Sequence, residues 1–236
     1  MFTEKSDKYR EFFTSEFLMG PNCFRLLDEL ISKYPVKKES RILDLGCGTG
    51  LTSMFMARET NSQILAVDLW CSATDNYKNF QKWGIDDKVI PIFSDAAKLP
   101  FAGNYFDAVI SVDSYHYFAL SKYFFKEKVL PLVKSGGYAL IAVPGLKKEF
   151  TDSAPKEMLD WLEDEVRCFH SCEWWRDTIG CDKEIESVTV WEMENFDIAW
   201  DEWLATGAKY AVHDKKAFDN GVGKYLNFVG IAVKKA

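Results

Sequence analysis

A glycine-rich segment with an acid just before it is the strongest chemical signal in this sequence. Residues 44–50 (DLGCGTG) follow a predicted strand and open a predicted helix. Glycines let the backbone turn sharply and let a ligand approach it, and a helix N-terminus offers unpaired N–H groups. The dinucleotide pattern G-x-G-x-x-G fails because Leu51 or Ser53 stands where its third glycine belongs, and no Gly-Lys-Ser/Thr follows as a nucleoside triphosphate loop requires. The segment therefore predicts a site for another polar small molecule.

Carboxylates stand at the ends of the next two predicted strands. Asp68 ends the second strand about 20 residues beyond the glycines, and Asp95 follows the third strand. A carboxylate at the first of these positions can accept hydrogen bonds from both hydroxyls of a ribose. Either Asp44 or Asp95 alone could instead be an ordinary helix N-cap.

The order of these segments resembles the class I S-adenosylmethionine-dependent methyltransferases, in particular small-molecule enzymes of an uncharacterised bacterial type. The resemblance covers about residues 40–145 and includes 99–101 (LPF), 104–107 (NYFD) and 134–137 (KSGG). It implies that S-adenosyl-L-methionine is the cofactor. It assigns the ribose to Asp68, the adenine amino group to the segment 94–96, and the methionyl part to the glycine loop. The cofactor-binding residues it predicts are Asp44, Gly46, Cys47, Gly48, Gly50, Asp68, Leu69, Ser94, Asp95, Ala96 and Ser111.

The segment 111–118 (SVDSYHYF), at the end of the fourth predicted strand, is expected to lie beside the cofactor. Methyl transfer from an activated sulfonium depends largely on positioning, so a base is needed only if the acceptor arrives protonated. His116 is the predicted base, since a histidine titrates near pH ~6.5. Asp113 would bind a substrate cation or orient His116. The register against related enzymes is ambiguous, and one alignment places Tyr117 at the catalytic position.

Aromatic residues outside this core are the predicted substrate contacts. The N-terminal region would close over the site as a lid, where aromatic rings can hold an amine by cation–π attraction. A second segment, 169–176 (FHSCEWWR), reads as a helix capped by Ser171. Packing of these aromatic residues into an ordinary core remains the alternative. The predicted substrate-binding residues are Tyr9, Phe17, Tyr115, His170 and Trp174.

The hydrophobic pattern predicts an α/β, Rossmann-like fold. Short strands rich in β-branched residues alternate with helices, as in a parallel sheet buried on both faces. We predict a seven-stranded, mainly parallel sheet with an antiparallel last strand, and a single methyltransferase domain over 1–236. The predicted parts are a helical lid at 1–40, a cofactor-binding core at 41–145, and a helical cap with closing strands at 146–236. The predicted strands are 41–45, 63–68, 89–93, 106–112, 138–143, 185–193 and 224–233, and the predicted helices are 51–60, 72–83, a short one near 96–98, 119–133 and 198–217.

Composition limits the classes of partner. The chain has 236 residues and a net charge of -7, which disfavours a nucleic-acid backbone binder. Its charged start and short apolar runs predict a cytoplasmic protein that does not bind membranes. The six cysteines show no paired spacing, which favours free thiols, and zinc bound by Cys168, His170, Cys172 and Cys181 is a minor alternative; no metal is predicted. Aromatic residues make up 15% of the chain, and those between Trp161 and Trp203 point to the cap as the source of specificity.

We therefore expect methyl transfer from S-adenosylmethionine to N or O of a small metabolite by a monomer or homodimer. Two other functions remain open: methylation of RNA or protein, and cofactor binding without catalysis.

Overall fold

The computed structural model describes residues 5–236, in which a seven-stranded sheet is ordered β3-β2-β1-β4-β5-β7-β6. The strands are β1 Arg41–Leu45, β2 Gln63–Asp68, β3 Val89–Phe93, β4 Phe106–Val112, β5 Val133–Leu146, β6 Ile185–Glu192 and β7 Leu226–Lys235. The first five strands are parallel, and β7 runs antiparallel to both of its neighbours. The predicted fold class is confirmed.

Helices cover both faces of the sheet and divide the core into two apolar clusters. They are α1 Cys23–Lys33, α2 Leu51–Thr60, α3 Ala73–Lys82, α4 Lys156–Leu162, α5 Cys172–Ile179, α6 Phe196–Leu204 and α7 Lys209–Asp219. One cluster includes Phe24 of α1, Phe55 of α2 and Trp200 of α6. The other includes Tyr115 and Trp175. Burial on both faces explains why the central strands are almost continuously apolar.

Two predicted helices in the core are wrong. Residues 119–133 form no α-helix: a π-helical turn spans Phe125–Val129 and a 3-10 turn spans Leu130–Leu132. The carbonyls of Pro131 and Leu132 accept from the N–H groups of Asn104 and Tyr105, so they are not used within a helix. Residues 96–98 form a turn, which the Asp95 side chain holds by accepting from the Ala97 N–H at 2.9 Å.

Two other element boundaries differ from the prediction. Strand β5 begins at Val133, five residues before the expected start, and passes through an irregularity in its pairing with β4. Gly136 allows this course because its φ of 74° suits glycine. The helix predicted over 198–217 is two helices, α6 and α7, separated at Gly207, whose φ is 67°.

The N-terminal segment is fastened to the cap by one buried arginine. Arg25 of α1 donates to Ser6 Oγ at 2.9 Å, to Asp7 Oδ1 at 2.7 Å and to Glu202 Oε1 of α6 at 2.7 Å. These bonds join the 3-10 turn Ser6–Phe12 to two helices on the same face of the sheet. The predicted lid starts at residue 1, and its residues 1–4 lie outside the described part. No helix within 5–236 is long and apolar enough to cross a membrane.

Candidate functional site

The glycine loop lies where the strand order changes direction, between β1 and β4. In open α/β sheets this crevice, outside the carboxyl ends of the strands, is where ligands bind. The N–H groups of Gly46 and Cys47 both donate to the Val67 carbonyl, at 2.8 and 3.0 Å, which fixes the loop against β2. Gly46, Gly48 and Gly50 have φ values of 77°, 54° and 93°, a region that disfavours side chains.

Asp44 lies beneath this loop and is fully buried. Its Oδ2 accepts from the hydroxyls of Thr52 and Ser53 at 2.6 Å each, which ties β1 to the first turn of α2. Burial raises the pKa of Asp44 to about 6, although the two hydroxyls act in the opposite direction. Its Oδ1 is buried without a hydrogen-bond partner among residues 5–236, so Asp44 retains acceptor capacity.

Asp68 organises the loop from the end of β2. Its Oδ2 accepts from the Gly48 N–H at 2.8 Å, and its Oδ1 accepts from the N–H groups of Trp70 and Cys71 at 2.7 and 2.8 Å. Each carboxylate oxygen has two lone pairs, so Oδ2 keeps capacity for one more donor. Asp68 therefore holds the glycine loop and still presents an acceptor to a ligand.

Two adjoining pockets meet at Asp68. We call the first the outer pocket; it has a volume of about 240 Å³ and lies over the ends of β2 and β3. It is lined by Leu45, Gly46, Val67, Asp68, Leu69, Trp70, Ser94, Asp95, Ala96, Ser114, Tyr117 and Phe118. Leu69 and Trp70 are half or more exposed, so apolar surface is available to an aromatic ring ligand.

The second, the loop pocket, has a volume of about 120 Å³ and is covered by the segment 17–20. Thr49 Oγ1 donates to the Phe17 carbonyl at 2.7 Å, which holds that segment on the glycine loop. Phe17, a predicted substrate contact, lines this pocket. The pocket is lined by Phe17, Leu18, Met19, Gly20, Cys23, Gly46, Cys47, Gly48, Thr49, Leu51, Thr52, Asp68, Trp70, Val112, Asp113, Ser114 and Tyr117.

A larger space of about 670 Å³, the cap cavity, lies between the loop pocket and the C-terminal helices. It is lined by Leu18, Met19, Gly20, Pro21, Trp70, Asp113, His116, Tyr117, Pro144, Trp161, Leu162, Glu163, Asp164, Glu165, Phe169, Trp200, Tyr210, His213 and Asp214. Five of these described lining residues are carboxylates, six are Trp, Tyr or Phe, and none is Lys or Arg. The cavity is therefore anionic and aromatic.

Asp113 lines both the loop pocket and the cap cavity. It follows β4 with a φ of 55°, unusual for a residue with a side chain, and its N–H donates to the Ala142 carbonyl at 2.8 Å. Burial raises its pKa to about 8, and the charge of Asp214 adds to the effect. A side chain at Gly20 would collide with the Asp113 carboxylate, so glycine lets the two segments approach closely without displacing that carboxylate.

His116 and Tyr117 follow Asp113 on a 3-10 turn and also line the cap cavity. Burial lowers the pKa of His116 to about 3, so the ring stays neutral near neutral pH. Its Nδ1 is buried without a partner among the described residues. Tyr117 packs on His116 and on Trp70, with ring centroids 4.0 and 5.2 Å apart. A neutral His116 is a weak base, which leaves Asp113 as the stronger proton acceptor.

Several predicted site residues lie elsewhere. Tyr9 is buried and donates to Glu59 Oε1 at 2.8 Å, and Tyr115 is buried against Trp175 in the second cluster. Neither tyrosine lines the three spaces described here. Ser111 donates to the Leu45 carbonyl at 2.7 Å, so this predicted cofactor contact joins β4 to β1 instead.

His170 and Trp174 also lie outside these spaces. Their rings stack 3.6 Å apart, and His170 Nδ1 lies 3.2 Å from Glu149 Oε2. Ser171 caps α5 as predicted, by accepting from the Trp174 N–H at 3.2 Å. All six cysteines are free, and among residues 5–236 no group of three or more His, Cys, Asp or Glu is placed to hold a metal ion.

The sequence alone missed several site residues. Ser114 lines the outer and loop pockets, and its Oγ donates to the Leu45 carbonyl at 3.0 Å. Trp161, Trp200 and Asp214 line the cap cavity from helices far along the chain. The only signal for them was the concentration of tryptophan in the cap.

Part of this chain matches a known protein family. Residues 42–137 match the family model described as Methyltransferase domain. 27-O-demethylrifamycin SV methyltransferase of Amycolatopsis mediterranei is 29% identical over 94 residues, which cover 39% of this chain and 35% of that protein. The match thus spans about a third of that relative's length.

Solved structures share the fold over nearly the whole chain. Phosphoethanolamine N-methyltransferase 2 of Haemonchus contortus, in complex with phosphomonomethylethanolamine and S-adenosylhomocysteine, has a TM-score of 0.76 at 19% identity, covering 98% of this chain and 56% of that one. Geranyl diphosphate C-methyltransferase of Streptomyces coelicolor has a TM-score of 0.71 at 17% identity, covering 89% of this chain and 78% of that one. The named proteins include N-, O- and C-methyltransferases, so the comparisons leave the acceptor atom open.

Proposed function

We propose that this chain, whose residues 42–137 form a class I, S-adenosylmethionine-dependent methyltransferase domain, transfers a methyl group to the nitrogen of a small amine. The observation that carries the proposal is the cap cavity. It is anionic and aromatic, and it joins the loop pocket at Asp113. Such a lining attracts a cation, and it disfavours phosphate and carboxylate groups as well as the backbone of RNA.

The residues present fit S-adenosylmethionine. Asp68 offers acceptor capacity to ribose hydroxyls, and Asp95 lies in the outer pocket with Leu69 and Ala96, where adenine would be held. Asp44 is buried beneath the glycine loop, and its carboxylate holds Thr52, which lines the loop pocket. When bound, this cofactor supplies a methyl group activated by a positively charged sulfur.

The glycine loop gives a prediction about cofactor binding. In Gly46→Ala the new Cβ would collide with Ser114 and the backbone would keep a φ of 77°, so we expect affinity for S-adenosylhomocysteine to fall by ~1 to 3 kcal/mol, the range for strained backbone. Calorimetry measures the affinity. Gly207→Ala is the matched control, because Gly207 has a φ of 67° but open space around it; it should lose stability alone. Equal affinities in the two variants would contradict this role of the loop.

Asp113 is the residue we assign to proton transfer. A protonated amine has no lone pair, so it must lose a proton before its nitrogen can form a bond to carbon. The Asp113 carboxylate accepts that proton and becomes a neutral acid, a state that its buried position favours. His116 lines the cap cavity beside Asp113 as a neutral ring and would help to position the substrate.

The aromatic rings of the cap cavity select for charge as well as shape. Trp161, Trp200 and Tyr117 line the cavity, and a cation that lies over the face of such a ring gains ~0.5 to 2 kcal/mol. Leu18, Met19 and Gly20 line both the loop pocket and the cap cavity, and a region shielded from water by such residues would strengthen this attraction.

A substrate panel tests the proposed function. Alkyl and arylalkyl amines would be compared with their N-acetyl derivatives and with counterparts bearing a phosphate or carboxylate, and release of S-adenosylhomocysteine would be measured. We expect turnover with free amines and at least ~10-fold less with each counterpart, the ratio expected from losing one charge-assisted contact. Preference for a phosphate or carboxylate would contradict the proposal. Cofactor binding without turnover of any compound would support the non-catalytic alternative.

A further inference from the structure

Asp214 is held in place by two tryptophans and lines the cap cavity from α7. Its Oδ1 accepts from Trp161 Nε1 at 2.9 Å, and its Oδ2 accepts from Trp203 Nε1 at 2.8 Å. Each oxygen has a second lone pair, so the carboxylate can still accept from a ligand. Two indole N–H groups fix its orientation without neutralising its charge.

Asp214 and Asp113 come from different parts of the fold but affect each other. Asp113 follows β4 at the junction with the loop pocket, whereas Asp214 lies on α7 in the C-terminal cap. Burial raises the pKa of Asp113, and the charge of Asp214 adds to that effect. None of the described residues that line the cavity is Lys or Arg. Glu163, Asp164 and Glu165 are exposed, whereas Asp113 and Asp214 are both partly buried. The less exposed part of the cavity thus holds two carboxylates and no protein cation.

The cap cavity is large enough for a substrate to be bound at two separate groups. Its volume of about 670 Å³ falls within the ~300 to 1,000 Å³ of small-molecule sites, far more than a lone ammonium group needs. Trp161 and Trp200 lie edge to face with centroids 6.0 Å apart, and both line the cavity. Trp161 also donates to Asp214, so a cation beside Asp214 would lie next to this aromatic pair.

From this geometry we infer that the substrate carries two cationic groups, as a diamine does. One amine binds at Asp113 and accepts the methyl group, while the second remains an ammonium ion at Asp214 beside Trp161 and Trp200. The inference rests on the proposed function and adds the substrate class. Asp214 is accordingly a specificity residue: it binds substrate at a distance from the reacting atoms.

Equilibrium binding tests the inference independently of turnover. Calorimetry with the protein saturated in S-adenosylhomocysteine would compare α,ω-diaminoalkanes of roughly four to eight carbons, a range chosen to fit the cavity, with n-alkylamines and mono-N-acetyl diamines of matched length. We expect at least one diamine to bind about tenfold or more tightly than both counterparts, because each of those lacks one charge-assisted contact. Equal binding of all three would overturn the inference without any variant.

The variant Asp214→Asn tests whether the second ammonium group of the diamine binds at Asp214. This variant should lose the preference for the diamine, with the two affinities within about threefold, and should keep its affinity for the monoamine. Asp219→Asn removes the same charge from an exposed position on the same helix and should keep the preference. Retention of the preference in Asp214→Asn would overturn the assignment, and the melting temperature shows whether that variant is folded.

The panel of amines separates the two proposals. Turnover of monoamines with equal binding of diamines would contradict the two-cation substrate alone. Tight diamine binding without methylation of any amine would contradict the proposed function while leaving the recognition site at Asp214 supported.

Discussion

Asp68→Ala is expected to weaken binding of S-adenosylmethionine and S-adenosylhomocysteine by ~1 to 3 kcal/mol or more, the cost of leaving hydrogen-bonded polar groups unpaired. The change removes the acceptor for a ribose hydroxyl. It also releases the N–H groups of Gly48, Trp70 and Cys71, which Asp68 now holds. The loop would therefore lose its order as well as one contact.

Calorimetry measures this effect, with Asp86→Ala as the control for loss of one negative charge at an exposed position. The control should bind the cofactor like the unmodified protein. An unchanged affinity in Asp68→Ala, with the protein folded, would remove Asp68 from the cofactor site.

Asp113→Asn is expected to reduce kcat by ~10²- to 10⁴-fold, the usual contribution of a positioned acid or base. Asparagine keeps the size of the side chain but cannot accept the proton that the amine must lose. The affinity for S-adenosylhomocysteine should stay close to that of the unmodified protein, so a combined loss of binding and rate would contradict the assigned role. Asp86→Asn is again the charge control.

The pH dependence gives an independent readout of Asp113. Its pKa is about 8, so the carboxylate that accepts a proton forms as the pH rises through that value. The kcat/KM of the unmodified protein, which reports the free enzyme, should rise across this range, and the inflection should be absent from Asp113→Asn. The same inflection in the variant would assign it to the substrate amine or to another group.

The free energy of unfolding should also depend on the titration of Asp113, but it should fall as the pH rises, whereas kcat/KM should increase. Because folding raises the pKa of Asp113, the folded state binds the proton more tightly, and the resulting stabilisation is lost as the pH rises from about 4 to about 8. Asp113→Asn should therefore melt several degrees above the unmodified protein at about pH 9, with a smaller difference at about pH 5. An equal difference at both pH values would contradict the raised pKa.

The cofactor half of the site could be predicted because it is local in sequence. Asp68 and Asp95 each end or follow a strand, and parallel strands bring their carboxyl ends to one edge of the sheet. A short motif therefore fixes both chemistry and position. Ser111 is the exception, because its place near the end of β4, two residues before Asp113, gave no sign that its hydroxyl bonds to β1.

For the substrate half of the site, the sequence predicted the types of residue but not which residues come together. Asp113, Trp161 and Asp214 converge from three elements separated by about 50 residues each, and no local pattern specifies that convergence. Tyr115 illustrates the limit at close range: it lies two residues after Asp113, yet the 3-10 turn directs it into the apolar cluster beside Trp175. The excess of aromatic residues predicts that the cap decides specificity, and Trp161, Phe169 and Trp200 of the cap line the cavity.

The most direct test of the account follows the methyl group itself. The protein would be incubated with S-adenosylmethionine carrying an isotopically labelled methyl group and with the best amine of the panel, and the product would be examined by NMR. We expect a labelled methyl bonded to nitrogen in an amount equal to the S-adenosylhomocysteine released. Labelled methyl bonded to oxygen or carbon, with the nitrogen unchanged, would contradict it.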